Sequence, residues 1–474
     1  MNFIILDLSL LAIFLISISI LLYKNKKNLV QDGPLYLYKA QWGINLIKNV
    51  GKKYSNFLKK ISYVSMGVGY VLMAGIVFLI LQTVYLYLTT PIARAIKAPP
   101  IMPLIPYFPK LFGLSSMFPP FYFIYFILAL IIVATVHEFS HGIFAKAFGI
   151  RIKTTGFAFF KYFPALFGAF VEQDEKQMNK QSRFAKMSVI SAGVFANVLT
   201  GFLFFGLLIL TFSLSFSASG VVFDTYSYSA VKISNISSVN GISIADSNYD
   251  NILDLLEENK TNNVSIGDVN YLTTIEFFEK QKEYNGSAIL YHDSPALNAG
   301  LYGAIHKIDG EIINNRDTLK KILNEKNIGD VITITSIDDD KKEIETEIVL
   351  GEHPEEEGRT WIGIGFMEKN TEGFRGKIYS FFSSFKDSSI YYTPDYEVSY
   401  FIYHLLWWIV LINFAVALFN MLPVGILDGG MFFYLTLEGL TKSEKFSKKA
   451  FSFMNWFFLL LFVTLMVRWV FIFF

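Results

Sequence analysis

Residues 121–148 read FYFIYFILALIIVATVHEFSHGIFAKAF, a long apolar run with His137, Glu138, His141 and Lys146 close to its end. The hydrocarbon core of a bilayer is about 30 Å thick, and about 20 apolar residues in helical form cross it. The stretch is long enough, so it predicts a transmembrane helix that carries His137, Glu138 and His141. Ionisable side chains are costly inside a membrane, and their presence there indicates function.

The spacing of these three residues predicts a metal site. His137 and His141 are four residues apart and share one face of a helix, so both imidazoles can bind the same ion. Glu138 follows the first histidine and is placed to act as a general base on the attacking water. The pattern is typical of metal-dependent hydrolases. The alternative is a polar patch satisfied by neighbouring helices.

A catalytic zinc ion has three protein ligands and one open position. The chain has no cysteine, so the third ligand must be His, Asp or Glu. The remaining histidines lie in a hydrophilic segment or at the outer end of the fifth apolar run, too far from the depth of His137: they are His292, His306, His353 and His404. The fifth run ends in Asn420-Met-Leu-Pro-Val-Gly-Ile-Leu-Asp428, where Pro423 and Gly425 break the helix. Asp428 then reaches the level of His137, which predicts Zn²⁺ on His137, His141 and Asp428.

The composition places the whole chain in a lipid bilayer, because 53% of its residues are hydrophobic and 17% are charged. A net charge of +1 gives no basic surface for nucleic acid, so that class of partner is excluded. The first apolar run lacks a cleavage site and is expected to be retained. We therefore predict an α-helical multi-pass membrane protein of about six transmembrane helices, at 3–22, 63–88, 121–148, 187–216, 400–419 and 451–474. The segment 91–120 is broken by prolines and is expected at the membrane surface.

Lysine distribution predicts the orientation. Residues 24–60 carry nine lysines and a single acid, Asp32, which is typical of a cytoplasmic segment. Alternation then places the N-terminus and the hydrophilic stretch outside a cell membrane, with the metal site toward the cytoplasmic side. Four parts follow: a helix and basic loop at 1–60, the first part of a catalytic core at 61–216, an inserted soluble domain at 217–398, and the second part of the core at 399–474.

The inserted domain is predicted to be α+β. Residues 293–335 read as turn, strand, turn, strand, helix and strand. Ser294-Pro-Ala-Leu-Asn-Ala-Gly-Leu301 and Ile308-Asp-Gly310 resemble a PDZ domain, although Gly303-Ala304 replaces the usual Gly-Asp. The resemblance implies capture of extended peptides at a sheet edge, and so a substrate filter; the alternative is a spacer. The preceding insertion at 227–284 contains a similar Val-Asn-Gly pattern, which leaves a second copy open. The segment 374–389 is predicted as an interfacial helix or a linker.

The order of the motifs resembles that of the site-2 proteases, intramembrane zinc metalloproteases that cut membrane-spanning segments of regulatory proteins. Four motifs carry the resemblance: His137-Glu138-x-x-His141, the small-residue motif Ser191-Ala-Gly-Val-Phe-Ala-Asn197, Asn420-x-x-Pro423, and Leu427-Asp428-Gly429. The chain departs from the family's usual residues at Val194, Val424 and Gly425, which are expected to be peripheral to the metal.

The resemblance implies single-pass membrane proteins as substrates, with Asn197, Asn420 and Pro423 holding an unwound segment. Two short strands predicted at 155–171 would form a membrane-dipping hairpin whose edge meets the substrate; a surface hairpin is the alternative. For both asparagines the alternative is a hydrogen bond between helices. Rival functions are a metal transporter or receptor, which does not need Glu138, and an inactive scaffold, against which the complete ligand set argues.

Overall fold

The computed structural model describes residues 3–26, 29–89, 99–102, 104–114, 118–162, 167–267, 269–282, 286–338, 340–354, 356–367 and 373–471. These residues cluster into two units. Residues 1–212 with 398–474 form the membrane unit, and residues 213–397 form the inserted unit. The inserted unit begins and ends within a few residues of the soluble domain predicted at 217–398.

Six helices in the described part of the chain are long and apolar enough to cross a bilayer. They are α1 (Phe3–Lys24), α3 (Ser55–Thr89), α5 (Phe123–Ala147), α7 (Arg183–Ser215), α13 (Ser399–Asn420) and α15 (Glu444–Val470). The six predicted spans are therefore confirmed as membrane-length helices. Some helices extend beyond the apolar run, because backbone hydrogen bonding continues into polar residues such as Lys59 and Lys60.

Four shorter helices complete the described helices of the membrane unit: α2 (Ile44–Lys53), α4 (Phe108–Leu111), α6 (Glu175–Asn179) and α14 (Asp428–Thr441). Helix α2 buries Ile44 and Ile47 in a cluster with Phe144 of α5. Within 91–120, only the four-residue α4 is helical among the described residues, as the prolines predict; residues 90–98, 103 and 115–117 lie outside them.

A four-stranded antiparallel sheet belongs to the membrane unit. Its strands, in spatial order, are β1 (Leu29–Asp32), β2 (Leu35–Ala40), β3 (Ile152–Phe160) and β4 (Phe167–Gln173). The two strands predicted at 155–171 are confirmed as the paired β3 and β4, and the connecting residues 163–166 lie outside the described residues. The β1–β2 hairpin was not predicted, although Asp32-Gly33 is a hairpin signal and Gly33 has a φ of 54°.

The N-terminus of α5 is fixed by a side chain from another helix. The first N–H groups of a helix have no partner within it. Asp7 of α1 is fully buried, and its carboxylate accepts hydrogen bonds from the N–H groups of Phe123 at 2.7 Å and Ile124 at 2.9 Å. It also accepts a hydrogen bond from the Tyr107 hydroxyl. This cap sets the position of the helix that carries His137.

The inserted unit contains a sheet in the order β16-β15-β13-β5-β20, with β14 paired to β13. The bounds are β5 (Phe216–Val222), β13 (Ala304–Ile308), β14 (Glu311–Ile312), β15 (Val331–Ile337), β16 (Glu343–Val349) and β20 (Ile390–Pro394). Helices α10 (Pro295–Asn298) and α11 (Arg316–Asn324) accompany it. The strand, turn, strand, helix and strand predicted within 293–335 are confirmed, whereas the first predicted turn contains the short helix α10. Two small pairs are β6 (Thr225–Tyr226) with β19 (Ile364–Gly365), and β17 (Gly351–Glu352) with β18 (Thr360–Trp361).

A second sheet of the inserted unit has its own apolar core around Ile236, Val264 and Phe278. Its order is β7-β12-β11-β10-β8-β9. The strands are β7 (Tyr228–Lys232), β8 (Ser238–Val239), β9 (Ile242–Ser243), β10 (Asn262–Ile266), β11 (Val269–Thr273) and β12 (Ser287–His292), with helices α8 (Tyr249–Leu253) and α9 (Ile275–Glu279). The segment predicted as an interfacial helix or linker at 374–389 overlaps α12 (Gly373–Ser383).

The two sheets of the inserted unit share a repeated local structure. In the first, Asp309 donates its N–H to the Thr333 carbonyl at 2.9 Å and accepts the Thr333 N–H on its carboxylate at 2.8 Å. In the second, Asn240 donates to the Asn263 carbonyl at 2.8 Å and accepts the Asn263 N–H on its side chain at 3.0 Å. Asp309 and Asn240 both have a φ of 49° and precede a glycine. The similarity seen in the sequence therefore corresponds to a shared local turn structure in the two sheets.

Candidate metal centre

Two histidine rings converge on one face of α5. Their four-residue spacing places them one turn apart. The Nε2 atoms of His137 and His141 are 3.1 Å apart, and both side chains are buried. The rings are nearly perpendicular, at 84°. Two ring nitrogens therefore face one position, as the sequence pattern predicts.

Asp428 completes the cluster from the first turn of α14. Its Oδ2 lies 3.1 Å from Nε2 of His137 and 3.3 Å from Nε2 of His141. Helix α13 ends at Asn420, and residues 421–427 form an irregular turn before α14 begins. The helix break predicted from Pro423 therefore exists, and it brings Asp428 to the histidines.

Small residues and one hydrogen bond hold the turn that carries Asp428. A Cβ at Gly429 would overlap the backbone of Met421, so only glycine allows this approach. The N–H of Gly425 donates to the side-chain oxygen of Asn455 on α15 at 2.7 Å. The last membrane helix thus helps to position Asp428.

Glu138 lies between the histidines and the four-stranded sheet. Its Oε2 accepts the Val171 N–H of β4 at 3.2 Å, which orients the carboxylate. Strand β4 is an edge of its sheet among the described strands. Lys39 of β2 donates to Glu172 of β4 at 2.7 Å and, with a second hydrogen bond from Thr154, holds the pKa of Glu172 below its usual range. Hydrogen bonds from β2 and β3 to Glu172 therefore stabilise the strand next to Glu138.

The three donor atoms fit a zinc ion. Nitrogen and oxygen ligands bind zinc at about 2.0–2.2 Å, so tetrahedral donors lie about 3.3 Å apart. The observed separations are 3.1, 3.1 and 3.3 Å. The lone pairs of two buried imidazoles and a half-buried carboxylate repel one another unless a cation or protons lie between them. Among the described residues, this is the one group of three or more such side chains close enough to share an ion.

The sequence model of peptidase family M50 matches residues 125–463, which is more than half of the chain and includes all three donors. The chain belongs to peptidase family M50. This is a family of metallopeptidases, and the resemblance to site-2 proteases is confirmed. A Methanocaldococcus jannaschii protein named "Uncharacterized protein MJ0971" is 44% identical over 75 residues, which cover 15% of this chain and 19% of that protein. The similarity thus spans about a fifth of that relative's length.

In this M50 chain, the second nitrogen of each clustered histidine also has a neighbour. Nδ1 of His141 lies 2.7 Å from the Val189 carbonyl oxygen. Nδ1 of His137 lies 3.1 Å from Nδ2 of Asn197, which is fully buried on α7. Asn197 was predicted to hold substrate, and the structure places its side chain against the His137 ring.

The other two predicted substrate residues lie at the end of α13. Nδ2 of Asn420 is 3.4 Å from Nε2 of His137, which places it beside the donor atoms. Pro423 is buried within the turn before Asp428. The histidines excluded by depth are elsewhere in the M50 chain: His292, His306 and His353 are in the inserted unit, and His404 is 16 residues before Asn420 on α13, about 24 Å along a helix.

Sequence reasoning missed the role of Gly193 on α7. A Cβ at this position would lie 2.5 Å from Nε2 of His141 and 2.7 Å from Cε1 of His137. Glycine therefore lets α7 approach the two rings directly. The available signal was the small-residue motif at 191–197, which was interpreted only through its final asparagine.

Proposed function

We propose that the chain is an intramembrane zinc metalloprotease that hydrolyses peptide bonds in or near the transmembrane segments of membrane-protein substrates. One observation carries the proposal: the donor atoms of His137 and His141, on the membrane-length α5, lie within 3.3 Å of one another and of Asp428 at the start of α14, with Glu138 beside them. Membership of a metallopeptidase family supports it.

The proposed reaction divides the work between the ion and Glu138. Zinc, when held by the two histidines and Asp428, supplies the Lewis acidity that polarises the scissile carbonyl and acidifies water. Glu138 accepts a proton from the attacking water and delivers it to the leaving nitrogen. Its hydrogen bond from the Val171 N–H directs one carboxylate oxygen toward β4 and leaves the other for this proton transfer.

A substrate helix must unwind locally, because its carbonyls are engaged in its own hydrogen bonds. We infer that β4 receives the unwound segment as an added strand, the mode by which sheet edges bind extended peptides. The edge position of β4 and the contact of Val171 with Glu138 support this, since they place the strand edge next to the base. Asn420, 3.4 Å from Nε2 of His137, is our candidate donor to the substrate backbone, and Pro423 shapes the turn beside it.

The inserted unit is proposed as a PDZ-like substrate filter. A groove of about 310 Å³ runs between α11 and residues 360–366. Its lining includes Trp361 and Phe366, and the guanidinium of Arg316 lies 4.1 Å from the Phe366 ring centre. In the second sheet, the helix that corresponds to α11 is α8, and its Tyr249 stacks on the fully buried Phe278. The groove beside α11 is the one that we propose to hold an extended peptide.

A deletion can test the filter. Ser217 of β5 and Thr393 of β20 are paired residues, about 5 Å apart in such a ladder, so a two-residue turn can replace residues 218–392. We expect this variant to keep zinc and to cleave a short, already unwound substrate at the native rate, while also cutting long proteins that the intact enzyme spares. Equal loss of activity on both substrates, with zinc retained, would contradict the filter.

The proposed location is a cell membrane, with the lysine-rich segment cytoplasmic and the inserted unit outside. Because the chain has no cysteine, single-cysteine labelling reports each side cleanly. Tyr302→Cys, at an exposed position of the inserted unit, should react with an impermeant reagent in intact cells. Lys52→Cys should react only after permeabilisation, and the opposite pattern would invert the topology.

The function itself is tested with the purified protein and a model single-span substrate. We expect about one zinc per chain and cleavage that stops when a chelator removes the metal and returns when zinc is restored. Metal-dependent transport without cleavage would favour the rival transporter. Zinc binding without cleavage of any membrane substrate would favour the scaffold.

A further inference from the structure

We propose that Asn197 is a positioning residue for the metal: its side-chain oxygen accepts a hydrogen bond from Nδ1 of His137 and so presents Nε2 to the ion. This inference rests on the proposed zinc site. It assigns Asn197 to the ligand rather than to the substrate.

The two histidines require the same arrangement. Nε2 of each ring faces Asp428. To bind the proposed ion at this position, each ring must present a lone pair at Nε2 and carry its hydrogen at Nδ1. Metal-bound histidines commonly donate that hydrogen to a carbonyl or carboxylate. For His141 the acceptor is the Val189 carbonyl oxygen at 2.7 Å. For His137 the group at the corresponding place is the Asn197 amide, 3.1 Å from Nδ1.

The orientation of this amide is the second observation. With Nδ2 facing Nδ1, two N–H donors would oppose each other once His137 binds metal through Nε2. The Asn197 oxygen is meanwhile buried and has no hydrogen-bond partner. A half-turn of the amide exchanges the two atoms and gives the oxygen the His137 N–H as its donor. The metal-competent state of His137 therefore selects the acceptor orientation of Asn197.

One face of helix α7 provides both the close approach to the histidine rings and the amide that contacts His137. Gly193 and Asn197 are four residues apart, so they lie one turn apart on the side toward α5. The absence of a side chain at Gly193 lets α7 approach the rings, and Asn197 then reaches Nδ1 of His137. Asn197 contacts His137 at Nδ1, whereas Nε2 faces the other donor atoms. A group at Nδ1 can orient the ring without occupying the metal-binding nitrogen.

The zinc dissociation constant of the purified full-length chain, measured by chelator competition, tests the proposal. Asn197→Leu removes the acceptor at similar size and should weaken zinc binding by about 10–100-fold. Asn197→Asp keeps an acceptor and should bind zinc within about threefold of native. The matched control is Asn413→Leu: Asn413 is also fully buried with an unpartnered oxygen, but it donates to Ile409 of its own helix. Its zinc affinity should not change.

Two results would overturn the inference while leaving the proposed function in place. The first is native zinc affinity in Asn197→Leu, because the proposal requires this variant to lose affinity; a raised KM in both Asn197 variants would then assign the amide to substrate. The second is an equal loss of zinc affinity in Asn197→Asp and Asn197→Leu, because a packing role does not distinguish an acceptor. If Asn197→Leu does not fold, Asn197→Ala is used in the same comparison. A native chain that binds no zinc would overturn both the inference and the proposed function.

Discussion

Replacing Gly193 with alanine adds one methyl group at the most crowded point of the metal site. The new Cβ would lie 2.5 Å from Nε2 of His141, 2.7 Å from Cε1 of His137 and 2.8 Å from Nδ1 of His137. Favourable contacts between such atoms require about 3.5 Å or more. The substitution therefore forces the rings or α7 to move by about 1 Å.

A movement of this size exceeds what a metal site tolerates. Ligand distances in functional sites hold to about 0.2 Å. We expect zinc affinity to fall at least about 100-fold, equivalent to about 2.8 kcal/mol. The helix itself should not be weakened, because alanine is favoured over glycine within helices by about 1 kcal/mol. The loss should thus appear in the metal site and not in the fold.

Chelator competition and thermal unfolding of purified Gly193→Ala measure the two effects separately. The matched control is Gly206→Ala on the same helix, where a Cβ would meet no atom within 4 Å. The control should bind zinc as the native chain does. Native zinc affinity and turnover in Gly193→Ala would refute the close approach of α7 to the histidines.

Three further predictions concern other parts of the chain. His141→Ala and Asp428→Ala should each lose most bound zinc on metal analysis, since each removes one of three ligands, and full retention in either would reassign that ligand. Asp7→Leu should lower the thermal stability of the membrane unit by about 1–2 kcal/mol through loss of the α5 cap, whereas Asp7→Asn, which keeps an acceptor, should lose less. The hydrogen bond from Lys326 lowers the pKa of Asp309 in the folded protein. Ionised Asp309 therefore stabilises the inserted unit fully above about pH 3.9, the pKa of an unfolded Asp. This stabilisation is lost as the pH falls through the lowered pKa of the folded state. Asp309→Asn should therefore reduce the acid sensitivity of hydrogen exchange in β13 and β15, and an unchanged pH profile would show that the ion pair is not involved.

The membrane helices and the convergence of the two histidines could be predicted because their signals are local. Apolar length alone indicates a span, and the spacing of His137 and His141 fixes their common face on any helix. Asp428 required one more step, since Pro423 predicts where the preceding helix stops. The prediction of this third ligand used depth in the membrane, which follows from counting residues along each span.

Other features depend on contacts that a single sequence does not display. The β1–β2 hairpin lies among lysines, and the charge pattern indicated a basic loop more strongly than Asp32-Gly33 indicated a turn. Helix α14 follows the irregular turn after α13. Pro423 and Gly425 in that turn indicated the end of a helix, and they gave no signal for the new helix that begins at Asp428. The placement of Asn197 against His137 and the space at Gly193 arise only when α7 packs on α5.

The central claim is that zinc binding and proton transfer are separate tasks of this site, and Glu138→Gln tests it most directly. The measurement is zinc content and cleavage rate of native and Glu138→Gln protein on one single-span substrate. We predict about one zinc per chain in both proteins and a cleavage rate at least about 100-fold lower in the variant, because glutamine cannot transfer the proton. Cleavage by Glu138→Gln at the native rate, with zinc bound, would contradict the account.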